Sequence, residues 1–408
     1  MSEWKKVKLG DIASAIQTGP FGSQLHQSDY SDEGTPVVMP KDIVCGKIDV
    51  SSIARVENHH VERLSRHKIK EGDILYARRG DVGKCAYTNK SQTGWLCGTG
   101  CLRVTIDKTK AMPEFVFFQL QKKDTIGWVE NHAIGATMLN LNTSILSDVP
   151  IELPTLSTQY KVASILSRYN SLIENYQKQI KLLEEAAQRL YKEWFVDLHF
   201  PGHENTKIVD GVPEGWEKKK IADVCDTIGG GTPSTKVLSY YENGTISWVT
   251  PTDITRNNCL CLLSTEKKIT KEGLDHSSAK MLPAETILMT SRASVGYFGI
   301  CDFEVCTNQG FISCVPFDNR YQMYLLYNLM NRVEEIRIKA GGSTYLEISK
   351  SVFRNFDIIC PTDDLINKFQ QETHQLLERM RLICKQIRLL TEARDRLLPK
   401  LMSGEIAV

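Results

Sequence analysis

No run of about eighteen uninterrupted apolar residues occurs in this chain, so the usual signature of a membrane-spanning helix is missing. The first residues lack the apolar core of a secretion signal, and the expected location is cytoplasmic. Twelve cysteines are present, yet no Cys-x-x-Cys pair; Cys259-x-Cys261 and Cys97-x3-Cys101 come nearest. In a cytosolic chain that scatter predicts buried free thiols rather than disulfides or a zinc site. A Gly-x4-Gly-Lys-[Ser/Thr] phosphate loop is absent, because Gly80-Asp81-Val82-Gly83-Lys84 has the wrong spacing. Gly98-Thr99-Gly100 is too short for a cofactor loop. There is no Pro-Pro pair, which removes the Asn/Asp-Pro-Pro-aromatic motif of amino-methyltransferases. No nucleophile–base set is legible either. An excess of one charge is also missing: Lys and Arg number 50 against 49 Asp and Glu, a net charge of +1. This excludes a uniformly basic nucleic-acid coat but not a local basic face.

What the chain does contain is a second copy of itself. Residues 179–186 (Gln-Ile-Lys-Leu-Leu-Glu-Glu-Ala) return at 386–393 as Gln-Ile-Arg-Leu-Leu-Thr-Glu-Ala. Trp4-Lys5-Lys6-Val7-Lys8-Leu9-Gly10-Asp11-Ile12 matches residues 216–224, and Pro40-Lys41-Asp42-Ile43 matches Pro251-Thr252-Asp253-Ile254. Residues 74–83 match 287–296, and residues 135–140 match 342–347. Four ordered matches ending in the same helix mean an internal duplication. At 408 residues, with 41% hydrophobic and 24% charged side chains, the chain is long enough for two to three soluble domains.

Within each copy a globular part precedes a helix. In the first, residues 37–39, 74–76 and 102–104 read as short strands and residues 115–121 as a helix after Pro113. In the second, residues 246–249, 286–289 and 311–314 are the strands and residues 321–339 the helix. A mixed α+β domain fits both. The helices that follow carry apolar seams at spacings of three and four. The first runs through Leu166, Tyr169, Ile173, Tyr176, Ile180, Leu183, Ala187, Leu190 and Trp194. The second runs through Leu376, Met380, Ile383, Ile387, Leu390, Leu397 and Leu401, with Arg394 breaking the seam where Ala187 stands in the first. Pro154-Thr155 and Pro361-Thr362-Asp363-Asp364 supply the helix starts. Each seam covers about 30 residues, roughly 45 Å of helix. Seven or more large apolar side chains, at about 1.5–3 kcal/mol each, need burial. Antiparallel pairing of the two helices satisfies both seams, while packing of each helix on its own domain is the alternative. The expected division is 1–158 and 199–361 for the globular parts, with spacer helices at 159–198 and 362–408.

Several motifs recur in both copies: Trp4-x4-Leu9-Gly10-Asp11-Ile12 and Trp216-x4-Ile221-Ala222-Asp223-Val224, then Gly72-Asp73-Ile74-Leu75 with Arg79 and Gly83. Ile358-Ile359-Cys360-Pro361 precedes a helix, and residues 401–406 close the chain. In this order, twice, the chain resembles the specificity subunit of type I restriction–modification systems over its whole length. The resemblance implies two target recognition domains, each followed by a long helix, the helices pairing as an antiparallel coiled coil with pseudo-two-fold symmetry. It implies a non-catalytic subunit that reads double-stranded DNA at an asymmetric bipartite target and holds two methyltransferase subunits, with two restriction subunits added through them. S-adenosylmethionine, ATP and Mg then belong to those partners, not to this chain. A helix of roughly 45 Å matches about thirteen base pairs at 3.4 Å rise. One departure stands out: Ala284-Glu285-Thr286 replaces Glu71-Gly72-Asp73, so that turn is expected to differ.

Base edges are read by Arg, Lys, Asn and Gln, and phosphates by Lys, Arg, Ser, Thr and backbone amides. Arg78, Arg79 and Arg292 follow a strand and precede a Val-Gly, and a tight turn presents such a fork with little entropy loss. A solvated turn arginine, or an ion pair with Asp81, is the alternative. Ser291, Lys84 and Tyr87 lie in the same loops. Ser23 and Gln24, and Thr232 and Ser234, follow Gly19 and Gly231. Arg256 and Asn257 carry suitable donors, though Arg256-Asn257-Asn258 is also an ordinary turn. Thr344, in Gly341-Gly342-Ser343-Thr344-Tyr345, and Gly135-Ala136-Thr137 complete the candidates, with plain loop chemistry as the alternative. His59-His60 reads as a surface pair. Target sequence, spacer length and partner-binding helix faces are not legible.

Overall fold

Asp11 and Asp223 occupy the same place in the two copies and act alike. Each carboxylate accepts the backbone N–H three residues earlier, Lys8 at 3.0 Å and Lys220 at 2.8 Å, starting the short helices Leu9–Ile12 and Ile221–Val224. Asp42 and Asp253 do the same for Met39 and Thr250, both at 2.8 Å. The repeated Trp-x4-Leu/Ile-x-Asp and Pro-x-Asp-Ile motifs are therefore helix caps: a side-chain acceptor satisfies a donor that the helix leaves orphaned.

A computed structural model describes residues 4–135, 138–257, 259–342 and 345–408. The chain divides into two compact units, Met1–Leu172 with Leu390–Val408, and Ile173–Leu389. Each unit is built on a four-stranded antiparallel sheet of the same order. In the first the order is Ala13–Thr18, Cys101–Ile106, Ile74–Ala77, Cys85–Tyr87. In the second it is Cys225–Gly229, Phe311–Pro316, Ile287–Thr290, Phe298–Ile300. A second small sheet follows in each, with one parallel pairing: Thr35–Val38 with Leu96–Cys97, and Ile246–Val249 with Cys306–Thr307. The entry strands Lys5–Lys8 and Glu217–Lys220 pair antiparallel with Pro150–Leu153 and Asp357–Cys360. This is the α+β architecture that the strand and helix patterns predict.

The helix read at 321–339 is two helices, Gln322–Asn331 and Val333–Ile338. Arg332 (φ −109°, ψ 17°) breaks it, donating to the Asp357 carbonyl and to Glu335 at 2.7 Å. The first copy has the same pair, Pro113–Leu120 and Lys123–His132. Gly83 and Gly296 let these second helices approach. A Cβ there would lie 2.7 Å from Ile126 and 2.9 Å from Val333.

The long helices run Leu156–Phe195 and Asp363–Met402, 40 residues each, about 60 Å apiece and longer than the seams predict. Their end turns belong to globular cores. In the first unit Val162, Ala163 and Leu166, with Leu401 and Met402, join the core of Leu102, Phe115 and Phe118, and Leu397 packs against it. In the second unit Ile180, Ala187, Met380 and Ile383 lie in the core of Ile287, Ile312 and Tyr324, with Tyr176, Leu183, Leu190 and Ile387 packed on it. Ile173 is buried and Leu390 half-buried. Inside the second unit Phe195 meets Phe369 at 4.9 Å between rings, so the end of one helix faces the start of the other, antiparallel. Inside the first unit Arg394, the residue breaking the seam, donates to Asn170 at 2.9 Å. Pairing and packing on a domain thus occur together. Each helix must cover two neighbours, so its apolar stripe is wider than an a/d seam. Tyr191 and Leu377, one position off the seam, are buried more deeply than Leu190 and Leu376.

Candidate nucleic-acid interface

An inner strand of each main sheet, Ile74–Ala77 or Ile287–Thr290, ends in an arginine turn held by the same hydrogen bonds. Arg78 N–H donates to the Gly100 carbonyl at 2.7 Å, Leu141 N–H to the Arg78 carbonyl at 2.8 Å, and Gly80 N–H to the Leu139 carbonyl at 3.2 Å. In the second unit Ser291 donates to Gly310 (2.8 Å), Ile348 to Ser291 (3.0 Å) and Ala293 to Leu346 (2.8 Å). Arg79 bridges Asn140, and Arg292 bridges Glu347. Both turns need a left-handed residue after the arginine, with Gly80 at φ +76° and Ala293 at φ +60°.

Four segments meet at each turn. Gly19 N–H donates to the Cys101 carbonyl at 2.9 Å and Thr99 to the Pro20 carbonyl at 3.0 Å. The Arg78 guanidinium lies over the Phe21 ring, 5.8 Å from its centroid. In the second unit Gly231 N–H donates to Thr307 at 2.9 Å, and the Thr232 hydroxyl donates to Gln309. Among the described residues, the Gly-rich segment, the arginine turn, the 98–100 or 308–310 turn and Leu139–Asn140 or Leu346–Glu347 therefore form one face per unit. The candidates Ser23, Gln24, Arg78 and Arg79 in one unit, and Thr232, Ser291 and Arg292 in the other, lie on these segments.

Arg79, Arg292, Lys84, Ser23, Thr232, Ser234 and Arg256 are exposed, and Arg78 and Gln24 half-buried. Arg78 Nε is buried without a partner. Asp81 pairs with Lys84 at 3.0 Å, while Arg292 Nε sits 3.6 Å from Glu347. The two faces differ in charge: Arg79 has the neutral Asn140 opposite it, and Arg292 has a carboxylate. Gln24 accepts the Phe21 N–H at 3.2 Å, closing the Gly-rich turn. Asn257 donates to the carbonyls of Cys259 (2.6 Å) and Cys261 (3.0 Å), as a turn residue does. Ser291 is buried beneath its turn. Tyr87 packs against Phe117 with tilted rings 5.6 Å apart, and burial pushes its hydroxyl up to about 12. Thr344 lies outside the described residues, as do Ala136, Thr137, Asn258 and Ser343.

Sequence reasoning passed over Phe21, Asn140, Glu347 and Gln309. Asn140 and Glu347 already stand opposite each other in the match of 135–140 with 342–347; their place beside the arginines is what the sequence does not announce. It also passed over large apolar side chains exposed on the same loops: Ile134 and Met138 in one unit, Tyr345 and Leu346 in the other.

A family model described as type I restriction modification DNA specificity domain matches twice, over residues 1–185 and 213–388. The chain belongs to that family. As a specificity subunit it carries the recognition domain in duplicate. It is similar to the type I restriction enzyme MjaIX specificity subunit of Methanocaldococcus jannaschii, 26% identical over all of this chain and 94% of that one. The HindI specificity subunit of Haemophilus influenzae is 24% identical over the full length of both. Among solved structures, the type I restriction–modification S subunit from M. genitalium superposes with a TM-score of 0.61 at 16% identity, covering 98% of this chain and 96% of that one. That likeness shows the fold. No helix among the described residues is long and apolar enough to cross a membrane.

Proposed function

We propose that this chain reads double-stranded DNA at an asymmetric, bipartite target for a type I restriction–modification complex, one recognition domain per half-site. The domains are 1–158 and 199–361, with spacer helices at 159–198 and 362–408. The observation that carries the reading is the pair of equivalent arginine turns. Arg79 and Arg292 stand exposed at the same place, on a face that also offers hydroxyls and backbone amides. An arginine fork on a rigid turn suits the O6 and N7 acceptors of guanine. Arg78, Lys84, Ser23, Gln24, Thr232, Ser234, Arg256, Asn257 and Thr344 would add phosphate and base contacts, with Ser291 and Tyr87 shaping the turns from behind. Asn140 against Glu347 supports different half-sites, because a carboxylate beside Arg292 partly neutralises its charge and itself accepts from cytosine.

The chain performs no chemistry of its own in this reading. Two methyltransferase subunits dock on it, bind S-adenosylmethionine and methylate adenine. Restriction subunits added through them cleave unmodified DNA with ATP and Mg, in the cytoplasm. Docking is supported by Leu182 and Leu389, at the same place in the repeated helix sequence and 64% and 61% exposed. Titrating a labelled duplex pool with the full chain and its methyltransferase, at several salt concentrations, tests the DNA reading. Affinity should fall linearly on a log–log salt plot, as phosphate neutralisation requires. Salt-independent or absent binding would favour a protein-binding scaffold instead.

A further inference from the structure

Three of the twelve thiols form a group apart, within the second unit. Cys259 Sγ lies 3.3 Å from Cys384 Sγ on the second long helix, although 125 residues separate them. Cys261 N–H donates to Cys259 Sγ at 3.4 Å, and the Cys261 thiol donates to the Leu377 carbonyl of that helix at 3.7 Å. From the first long helix, Glu184 accepts the intervening Leu260 N–H at 2.9 Å. Nine cysteines are buried and Cys45 is exposed; Cys259 and Cys384 alone are half-buried. No group of three His, Cys, Asp or Glu side chains among the described residues is arranged to hold a metal ion.

Two sulfurs in contact need to close by only about 1 Å to reach a bond of about 2.0 Å. Cys384 is held by the second long helix, whereas Cys259 lies outside any helix or strand. The nucleophile in disulfide chemistry is the thiolate. Contact with the Cys259 and Cys261 thiols holds the Cys384 thiol below its ordinary value. Reactive charge, partial access and a facing second thiol thus coincide.

We propose that Cys259 and Cys384 are a modification site, a reversible disulfide formed by a hydroperoxide, which ties the segment after Arg256 to the second long helix. The Cys384 thiolate attacks one peroxide oxygen; the O–O bond breaks, and the departing hydroxide is protonated to water, leaving a sulfenic acid. The Cys259 sulfur, giving up its proton, attacks the sulfenic sulfur, and the S–O bond breaks with loss of a second water. Two thiols and one hydrogen peroxide become one disulfide and two waters; the sulfurs lose two electrons and the peroxide gains them. A reducing thiol reverses it.

The test uses the full chain with Cys45→Ser, which removes the exposed thiol. After limited hydrogen peroxide and alkylation of free thiols, peptide mapping should join the peptide containing Cys259 to that containing Cys384. Intact mass before alkylation should fall by about 2 Da and recover on dithiothreitol. Cys261→Ser should retain the link and Cys384→Ala should lose it. A link that persists in Cys384→Ala, a different pairing, or all eleven remaining thiols still titratable after peroxide would overturn the proposal. If Cys384→Ala loses its circular dichroism, the peptide map of the parent protein decides alone.

Discussion

Arg381 Nη2 donates to Glu285 Oε1 at 2.7 Å, and the residue that accepts it has a left-handed backbone, φ +67°. Glu285 takes the place of Gly72 (φ +87°) in the first copy. The turn expected to differ between copies is in fact the same turn. In the second unit the strain of a side chain at positive φ is offset by the ion pair. Arg381 is 5% exposed; it also bonds Glu378 and approaches Asp302 at 3.8 Å. A recognition domain is thereby tied to the second long helix by charge as well as by packing.

Removing Arg381 takes a buried cation from partly exposed carboxylates, leaving Glu285 with Gln322 and Asp302 with Lys385. Arg381→Ala should destabilise the second unit by about 1–3 kcal/mol. Glu285→Gly should cost less, since glycine takes the left-handed turn freely. Urea unfolding followed by a probe in the second unit checks the order. Equal losses would mean that the strain contributes nothing.

Gly80 and Ala293 give a matched pair of backbone tests. A Cβ at Gly80 meets nothing within 4 Å, so Gly80→Ala carries conformational cost alone, about 1 kcal/mol. Ala293→Gly should gain a smaller amount, because glycine loses more entropy on folding. Thermal unfolding of both variants reads the two signs.

Glu184 makes the second unit sensitive to pH. Burial pushes its carboxyl up to about 7, above the unfolded value near 4.3. The folded state therefore binds the extra proton. The associated stability is complete below the unfolded pKa and is lost as pH rises through about 7. Cys259, Cys384 and Tyr327 are the titratable groups it faces. Glu184→Gln should flatten the decline in urea midpoint between about pH 5 and 8. An unchanged slope would assign the dependence elsewhere.

Adjacent leucines separate folding from docking. Leu183 packs on the second unit's core, and Leu183→Asp should cost about 2 kcal/mol or more. Leu182→Asp should leave the urea midpoint within about 0.5 kcal/mol yet weaken association with the methyltransferase subunit, measured by sedimentation.

Arg79→Ala and Arg292→Ala should each relax recognition of one half-site by about 1–3 kcal/mol per contacted base pair, leaving the other half intact. Methylation of duplexes altered in one half at a time reads this. Equal loss in both halves would contradict one reader per domain.

The duplication and the two long helices were legible because periodicity and self-similarity are local patterns. The arginine turns were legible for the same reason: Arg78-Arg79-Gly80 and Ser291-Arg292-Ala293 stand at matching places. Tyr191 and Leu377 were not, because which residue of a wide apolar stripe goes deepest depends on the domain it meets. The contacts of Cys259 with Cys384 and of Glu285 with Arg381 join residues far apart in the chain, and no spacing announces them. Glu285 also runs against its own propensity, since a glutamate gives no sign of a left-handed turn.

On the proposed function, this chain chooses the DNA sequence for partners that modify it. Expressing it with a methyltransferase subunit of the same system, and mapping adenine methylation across the host DNA with and without it, tests that most directly. Methylation should be confined to one gapped, asymmetric motif and lost without this chain. Active methyltransferase with no motif, or a motif that survives removal of the chain, would contradict the proposed function.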